Sequence, residues 1–143
     1  MKFREFNLRR DPQCPVCGDL PTITEPIDYE QFCGVSTNVP TISVRELKQK
    51  LDACESLQLV DVREPFEHEL ANIDSAQLIP LGELPDRLNE LDRNRLTIVH
   101  CHSGMRSAQA VRLLREAGFA NVFNLEGGIA KWSDEIDSDV ARY

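Results

Sequence analysis

The sequence predicts an α/β domain built on a central, mostly parallel sheet with helices on both faces. Three observations predict it. Short runs rich in Val, Ile and Leu take turns along the chain with segments whose apolar residues recur at three-and-four spacing. The runs are continuously apolar rather than alternating, as strands covered on both faces are. The two clusters richest in chemistry, LVDVRE (59–64) and IVHCHSGMRS (98–107), each lie where such a run ends, and folds of this class place their ligand sites at the carboxyl ends of strands.

The first segment, residues 1–39, reads differently from the rest. Up to Pro40 the chain carries Pro12, Pro15, Pro21, Pro26, three of the five cysteines and no sustained periodicity, which marks a linker with a metal knuckle. The folded domain spans 40–143. Ser43 with Glu46 three residues on is a capping box, and Val44, Leu47 and Leu51 give the apolar face of the helix it opens. LQLVDVRE (57–64) reads as a buried strand, and FEHEL as a short helical turn entered through Pro65. AQLIPL (76–81) reads as a strand, and Leu84, Leu88 and Leu91 mark a further helix started by Pro85. A strand at 96–100, a long helix over about 104–117, a strand at 121–125 and a last helical turn in GIAKW complete the order. No internal repeat or low-complexity stretch interrupts it.

Composition narrows the function classes. A chain of 143 residues that is 41% hydrophobic can bury a core. No run has the length of a membrane helix, and MKFREFNLRR lacks the apolar segment of a secretory signal, so the expected location is the cytoplasm. A formal charge of −8 without a basic stripe argues against a nucleic-acid or anionic-membrane partner. Five cysteines, at positions 14, 17, 33, 54 and 101, are an odd number and do not make a secreted disulfide framework. Reduced thiols with separate roles fit better.

Cys101 stands between the strand and the long helix, at the helix N-terminus, with Gly104 in the turn and Arg106 at its far side. Successive backbone N–H groups and the helix dipole there can converge on an anion. A thiolate, the nucleophilic form of cysteine, is favoured by such surroundings. The loop residues His102, Ser103, Gly104, Met105 and Ser107 complete the cradle. The spacing is C-x4-R, sized for a single sulfur atom, whereas cysteine-dependent phosphatases use C-x5-R to hold a tetrahedral phosphate.

These residues carry a resemblance to the rhodanese-homology domains, sulfurtransferases whose cysteine bears a persulfide. DVRE (61–64) with Glu67 resembles the first motif of that family, CHSGMRS (101–107) its active-site loop, and NLEGGIAKW (124–132) its closing Gly-Gly and Trp pattern. NIDSA (72–76) departs from the HIPGA usual there. The resemblance implies the rhodanese-like fold with a five-stranded, mostly parallel sheet. It also implies catalysis by Cys101, with Arg106 lining the cradle to bind the anionic end of a sulfur donor. No cofactor is expected for the transfer itself.

FREFNLRRDPQCPVCG (3–18), followed by IDYEQFCG (27–34), resembles the join between the two domains of molybdopterin-synthase adenylyltransferase/sulfurtransferases of the MoeB/MoeZ type. That resemblance makes Cys14 and Cys17 half of an adenylyltransferase zinc knuckle, whose other pair lies upstream, and makes Met1 an internal residue of a longer chain. It implies a sulfur path from thiosulfate or a cysteine desulfurase persulfide to the adenylated C-terminus of a ubiquitin-like sulfur carrier. The adenylyltransferase domain of the full-length chain would make that adenylate.

Bland readings stand beside these. Cys101 could be an inert core thiol and Arg106 a surface charge. Asp61 and Arg63 could be an ion pair supporting the loop or could touch substrate. His102 is expected to face substrate, with a charge that follows pH, and His68, His100 and Trp132 to be structural. Cys33 and Cys54 are expected to pack. The rival functions are a cysteine-dependent phosphatase or arsenate reductase, and a non-catalytic docking module.

Overall fold

A computed structural model of the chain describes residues 10–23 and 39–143. It divides into two compact units, Met1–Gly34 and Val35–Tyr143. In the first, the described residues form a tight double turn. Gly18 N–H donates to the Cys14 carbonyl at 2.9 Å and Asp19 N–H to that of Pro12 at 2.9 Å. A Cβ on Gly18 would lie 2.5 Å from the Cys14 oxygen, so this turn requires glycine. Arg10 closes it through the Cys17 carbonyl, 3.1 Å, and the Asp19 carboxylate, 3.0 Å.

The second unit is a five-stranded sheet, all parallel, with strands β1 (Thr41–Ile42), β2 (Leu57–Asp61), β3 (Gln77–Leu78), β4 (Leu96–His100) and β5 (Val122–Leu125) in the order β1-β5-β4-β2-β3. Three α-helices connect them, α1 (Val44–Asp52), α2 (Pro65–Leu70) and α3 (Met105–Glu116), and α4 (Gly128–Glu135) follows β5. The period-two rule for strands puts neighbouring residues on opposite faces. Leu59 and Ile98 accordingly pack with Val44, Leu47, Ile129 and Trp132 of α1 and α4, while Val60 and Val99 pack with Ala110, Val111 and Leu114 of α3. Both faces are covered, which is why the strand sequences read as unbroken apolar runs.

Local chemistry sets the helix starts. Ser43 caps α1, its hydroxyl taking Glu46 N–H while the Glu46 carboxylate takes Ser43 N–H at 2.9 Å. In α2, Pro65 occupies the first turn and the Glu67 carboxylate accepts Glu64 N–H at 3.0 Å.

Two expectations are corrected, and one strand is added that no run in the sequence marks. The helix anticipated from Leu84 to Leu91 is two short 3-10 turns, Leu84–Asp86 and Leu88–Glu90, because the chain leaves helical geometry at Arg87. Leu84 and Leu91 still reach the core, so apolar spacing alone could not separate the two structures. The strand expected over 76–81 pairs only at Gln77–Leu78. A two-residue strand, Thr41–Ile42, pairs with Asn124 and Leu125 and is too short for periodicity to announce.

In the departing NIDSA turn, Ser75 adopts φ +68, the left-handed conformation that the glycine of HIPGA would take without strain. Holding a serine in that conformation costs about 1–2 kcal/mol. Among the described residues no helix is long and apolar enough to cross a membrane.

Candidate active site

Strand order positions the site. From β4 the chain crosses through α3 to β5 on one side, and from β2 through α2 to β3 on the other. The connections therefore diverge above the carboxyl ends of β2 and β4, where a crevice must form. Asp61 and His100, the last residues of these strands, are register partners, and Cys101 follows at once.

The Cys101 side chain is buried, 1% exposed. Its sulfur receives the Gly104 N–H at 3.1 Å and the Ser107 hydroxyl at 3.3 Å. Gly104 makes this possible with φ +103, a value glycine adopts freely, which turns the chain back so that its amide faces the sulfur just before α3 begins. The N-terminus of α4 fixes the loop from outside. Ile129 N–H donates to the Cys101 carbonyl at 2.9 Å and Ala130 N–H to that of His102 at 3.1 Å. Ser103 is exposed, whereas His102 and Met105 are partly so.

Asp61 and Arg63 form an ion pair at 2.6 Å with neither side chain exposed. Arg63 also donates to the Ala71 carbonyl at 2.7 Å, and His68 Nδ1 lies 2.9 Å from the Asp61 carboxylate. Both members of the pair are thus buried and tied to the segment that follows α2. Burial by itself would raise the Asp61 pKa, but the bonds from Arg63 and His68 and the nearby His100 outweigh it and bring it down to about 2.

Arg106, expected to line the cradle, has its guanidinium laid on Glu67. Nη1 donates to Oε2 at 2.6 Å and Nη2 to Oε1 at 2.7 Å. The Arg106 bonds are the main reason that the Glu67 pKa falls to about 2, and Glu67 raises that of Arg106 in return. Two of the five N–H donors of arginine are used in this way, and three remain for an anion. Glu67 as the partner of Arg106 was not legible in the sequence, since 39 positions separate them. Nor was Tyr143, whose hydroxyl receives Arg63 Nη1 at 2.5 Å and donates to Glu67 at 3.2 Å. No pattern in the sequence marks it.

His100 is fully buried, 3.9 Å from Asp61. Burial, opposed by the Asp61 charge, lowers its pKa from 6.5 to about 4, so the ring is neutral. An unfolded His100 takes up a proton as pH falls through 6.5, and the folded one does so only near 4. Stability should therefore drop across that window, by about 3 kcal/mol in total, as protonation favours the unfolded chain. Asp61 extends the loss below pH 3.8, since protonating it removes its pairing with Arg63. Urea denaturation between pH 7 and 4 measures this, and a flat profile would refute the assignment.

In the first unit, the backbone N–H groups of Cys17, Val16 and Gly18 and the Cys17 side chain lower the Cys14 pKa, against burial. The Cys17 N–H is the largest of the causes that lower the Cys14 pKa, and Cys14 in turn raises that of Cys17. Among the described residues no group of three or more His, Cys, Asp or Glu could hold a metal. Cys33 lies outside the described residues, and Cys54 is exposed rather than packed.

A family model described as "Rhodanese-like domain" matches residues 43–135. The "Probable adenylyltransferase/sulfurtransferase MoeZ" of Mycobacterium tuberculosis is 38% identical over 152 aligned residues, which cover 100% of this chain and 37% of that protein. The chain thus spans little more than a third of that relative's length. The crystal structure of a rhodanese-like domain protein from Staphylococcus aureus superposes with a TM-score of 0.64 at 38% identity, covering 68% of this chain and 95% of the other. The thiosulfate sulfurtransferase of Pseudomonas aeruginosa gives 0.66 at 26% identity, over 73% of this chain and 21% of the other.

Proposed function

Since this chain belongs to the rhodanese-like domain family, we propose that it is a sulfurtransferase that carries sulfur as a persulfide on Cys101. The observation that carries the reading is the Cys101 sulfur held between the Gly104 amide and the Ser107 hydroxyl at the mouth of α3. Those donors suit an anionic sulfur.

The Cys101 thiolate attacks the outer sulfur of thiosulfate. The sulfur–sulfur bond breaks, sulfite leaves with the electron pair, and Cys101-S-S⁻ remains in the cradle. With a desulfurase persulfide as donor, the leaving group is the donor's thiolate. The terminal sulfur then attacks the acyl carbon of an adenylated carrier C-terminus, expelling AMP. A thiol cleaves the resulting acyl disulfide, releasing a thiocarboxylate and leaving a mixed disulfide that a second thiol reduces to return Cys101. Each transfer is an attack by sulfur on sulfur or carbon with a leaving group that departs as an anion.

MoeZ, which aligns with all of this chain, bears the name of an adenylyltransferase as well as a sulfurtransferase. The name supports an adenylyltransferase domain as the source of the adenylate; the reading takes a ubiquitin-like sulfur carrier as the acceptor and the cytoplasm as the place of transfer. Cys14 and Cys17 would then supply two thiolates to a structural zinc completed by that domain, the backbone N–H groups at Cys14 being the usual support of such a ligand.

Mass spectrometry tests the reading. After incubation with thiosulfate, the peptide containing Cys101 should gain the mass of one sulfur and lose it on addition of cyanide or a thiol. Absence of the gain would leave a docking module, and turnover of a phosphate ester in its place would establish the phosphatase.

A further inference from the structure

Tyr143 lies outside every helix and strand, yet it touches both flanks of the active-site loop. On one flank its hydroxyl joins Arg63 to Glu67. On the other its ring meets that of His102 edge to face, centroids 4.9 Å apart, and its backbone carbonyl accepts from His102 Nε2 at 3.1 Å. A cavity of about 260 Å³ opens between Tyr143, His102, Ala130 and Ser133, so the phenol stands beside free space at the loop and not within the core.

The bonds around Glu67 show what the hydroxyl does. Each carboxylate oxygen has two donors. Oε2 receives Glu64 N–H and Arg106 Nη1, while Oε1 receives the Tyr143 hydroxyl and Arg106 Nη2. The hydroxyl is itself anchored by Arg63, whose guanidinium is buried and fixed by Asp61 and the Ala71 carbonyl. Rigidity passes from that ion pair through the phenol to Oε1, and thence to the plane of Arg106. Without the hydroxyl, Oε1 keeps only Arg106, and the carboxylate can turn about its helix-capping oxygen.

We propose that Tyr143 is a positioning residue for sulfur transfer, setting the orientation of Arg106 towards an anionic donor through Glu67 while bracing His102 on the opposite side of the loop. The inference rests on the sulfur-transfer reading above. Tyr143 makes no contact with the Cys101 sulfur and takes no part in the bond-forming steps.

The test is steady-state thiosulfate-to-cyanide transfer by the wild type, Tyr143→Phe, Glu67→Gln and the double variant, all of the same chain. Tyr143→Phe keeps the ring on His102 and removes only the hydroxyl. It should raise the KM for thiosulfate about fivefold with kcat within about twofold. Glu67→Gln should raise KM about tenfold, and the double variant should match it within about twofold, because both changes cut one path.

A general loss of packing would lower the amount of active protein and leave KM unchanged. An unaltered KM in Tyr143→Phe, or a double variant in which the two effects multiply to about fiftyfold, would overturn the inference. A wild-type protein that forms no persulfide would overturn the sulfur-transfer reading, and this inference with it, whereas an active wild type with an unaffected Tyr143→Phe overturns the inference alone.

Discussion

Cys101→Ser is expected to leave no measurable thiosulfate-to-cyanide transfer, a loss of at least about a thousandfold, or roughly 4 kcal/mol of transition-state stabilisation. The hydroxyl fits where the thiol sat. Position 101 is 1% exposed, and the Gly104 amide and the Ser107 hydroxyl remain to serve an oxygen. Far-UV circular dichroism should therefore be unchanged, and the denaturation midpoint nearly so. What fails is chemical, since a serine oxygen neither displaces sulfite nor carries a sulfane sulfur. Cys54→Ser, at an exposed thiol, is the control and should retain full activity. Transfer by Cys101→Ser at more than a few per cent of the wild-type rate would remove Cys101 as the carrier.

Gly128→Ala is expected to cost about a hundredfold in the same activity and about 2–4 kcal/mol in stability. Two separate features cause this. Gly128 has φ +58, where any other L-residue is strained. A Cβ there would also lie 2.4 Å from the Cys101 carbonyl oxygen and 2.6 Å from that of His102, both backbone atoms of the catalytic loop. To admit it, α4 must withdraw, and the bonds from Ile129 and Ala130 to those carbonyls must lengthen or break. The sulfur would then lose its fixed relation to the Gly104 amide. Gly82→Ala is the matched control, because a Cβ at Gly82 meets nothing within 4 Å and no left-handed conformation is involved. Equal activities in the two alanine variants would show that the contact between α4 and the loop does not hold the cradle.

The expected loss of stability as pH falls from 6.5 to 4 belongs to a different part of the site. It arises from the buried neutral ring of His100 beneath the loop, so it should persist unchanged in Cys101→Ser. Comparing the two proteins separates the support of the site from its chemistry.

Much of this molecule is decided by short-range features. The Ser43–Glu46 box, the prolines at the entry to α2 and to the first 3-10 turn, and Gly104 before α3 fix where the chain turns, because caps and turns depend on a few adjacent residues. The apolar runs fix which segments are buried on both faces, and hence a parallel sheet between helices. The cysteine loop is local as well. Cys101, Gly104 and Ser107 lie within one stretch of seven residues, and that stretch contains both donors to the sulfur.

Only the tertiary structure decided the rest, most of which joins residues far apart in the chain. β1 is two residues long and exists because β5 offers it an edge. The expected helix at 84–91 became two 3-10 turns, although its leucines reached the core as their spacing required. Arg106 is visible in the sequence as a cation beside the cradle, but its orientation depends on Glu67, 39 positions earlier, and through Glu67 on Tyr143, 76 positions further on. The sequence by itself determined the candidate thiol, Cys101, and the turn that holds it, because a loop of this kind is specified by its own residues. The charges around that atom were decided by packing, because the energy of an ion pair depends on a distance through space that no spacing along the chain contains.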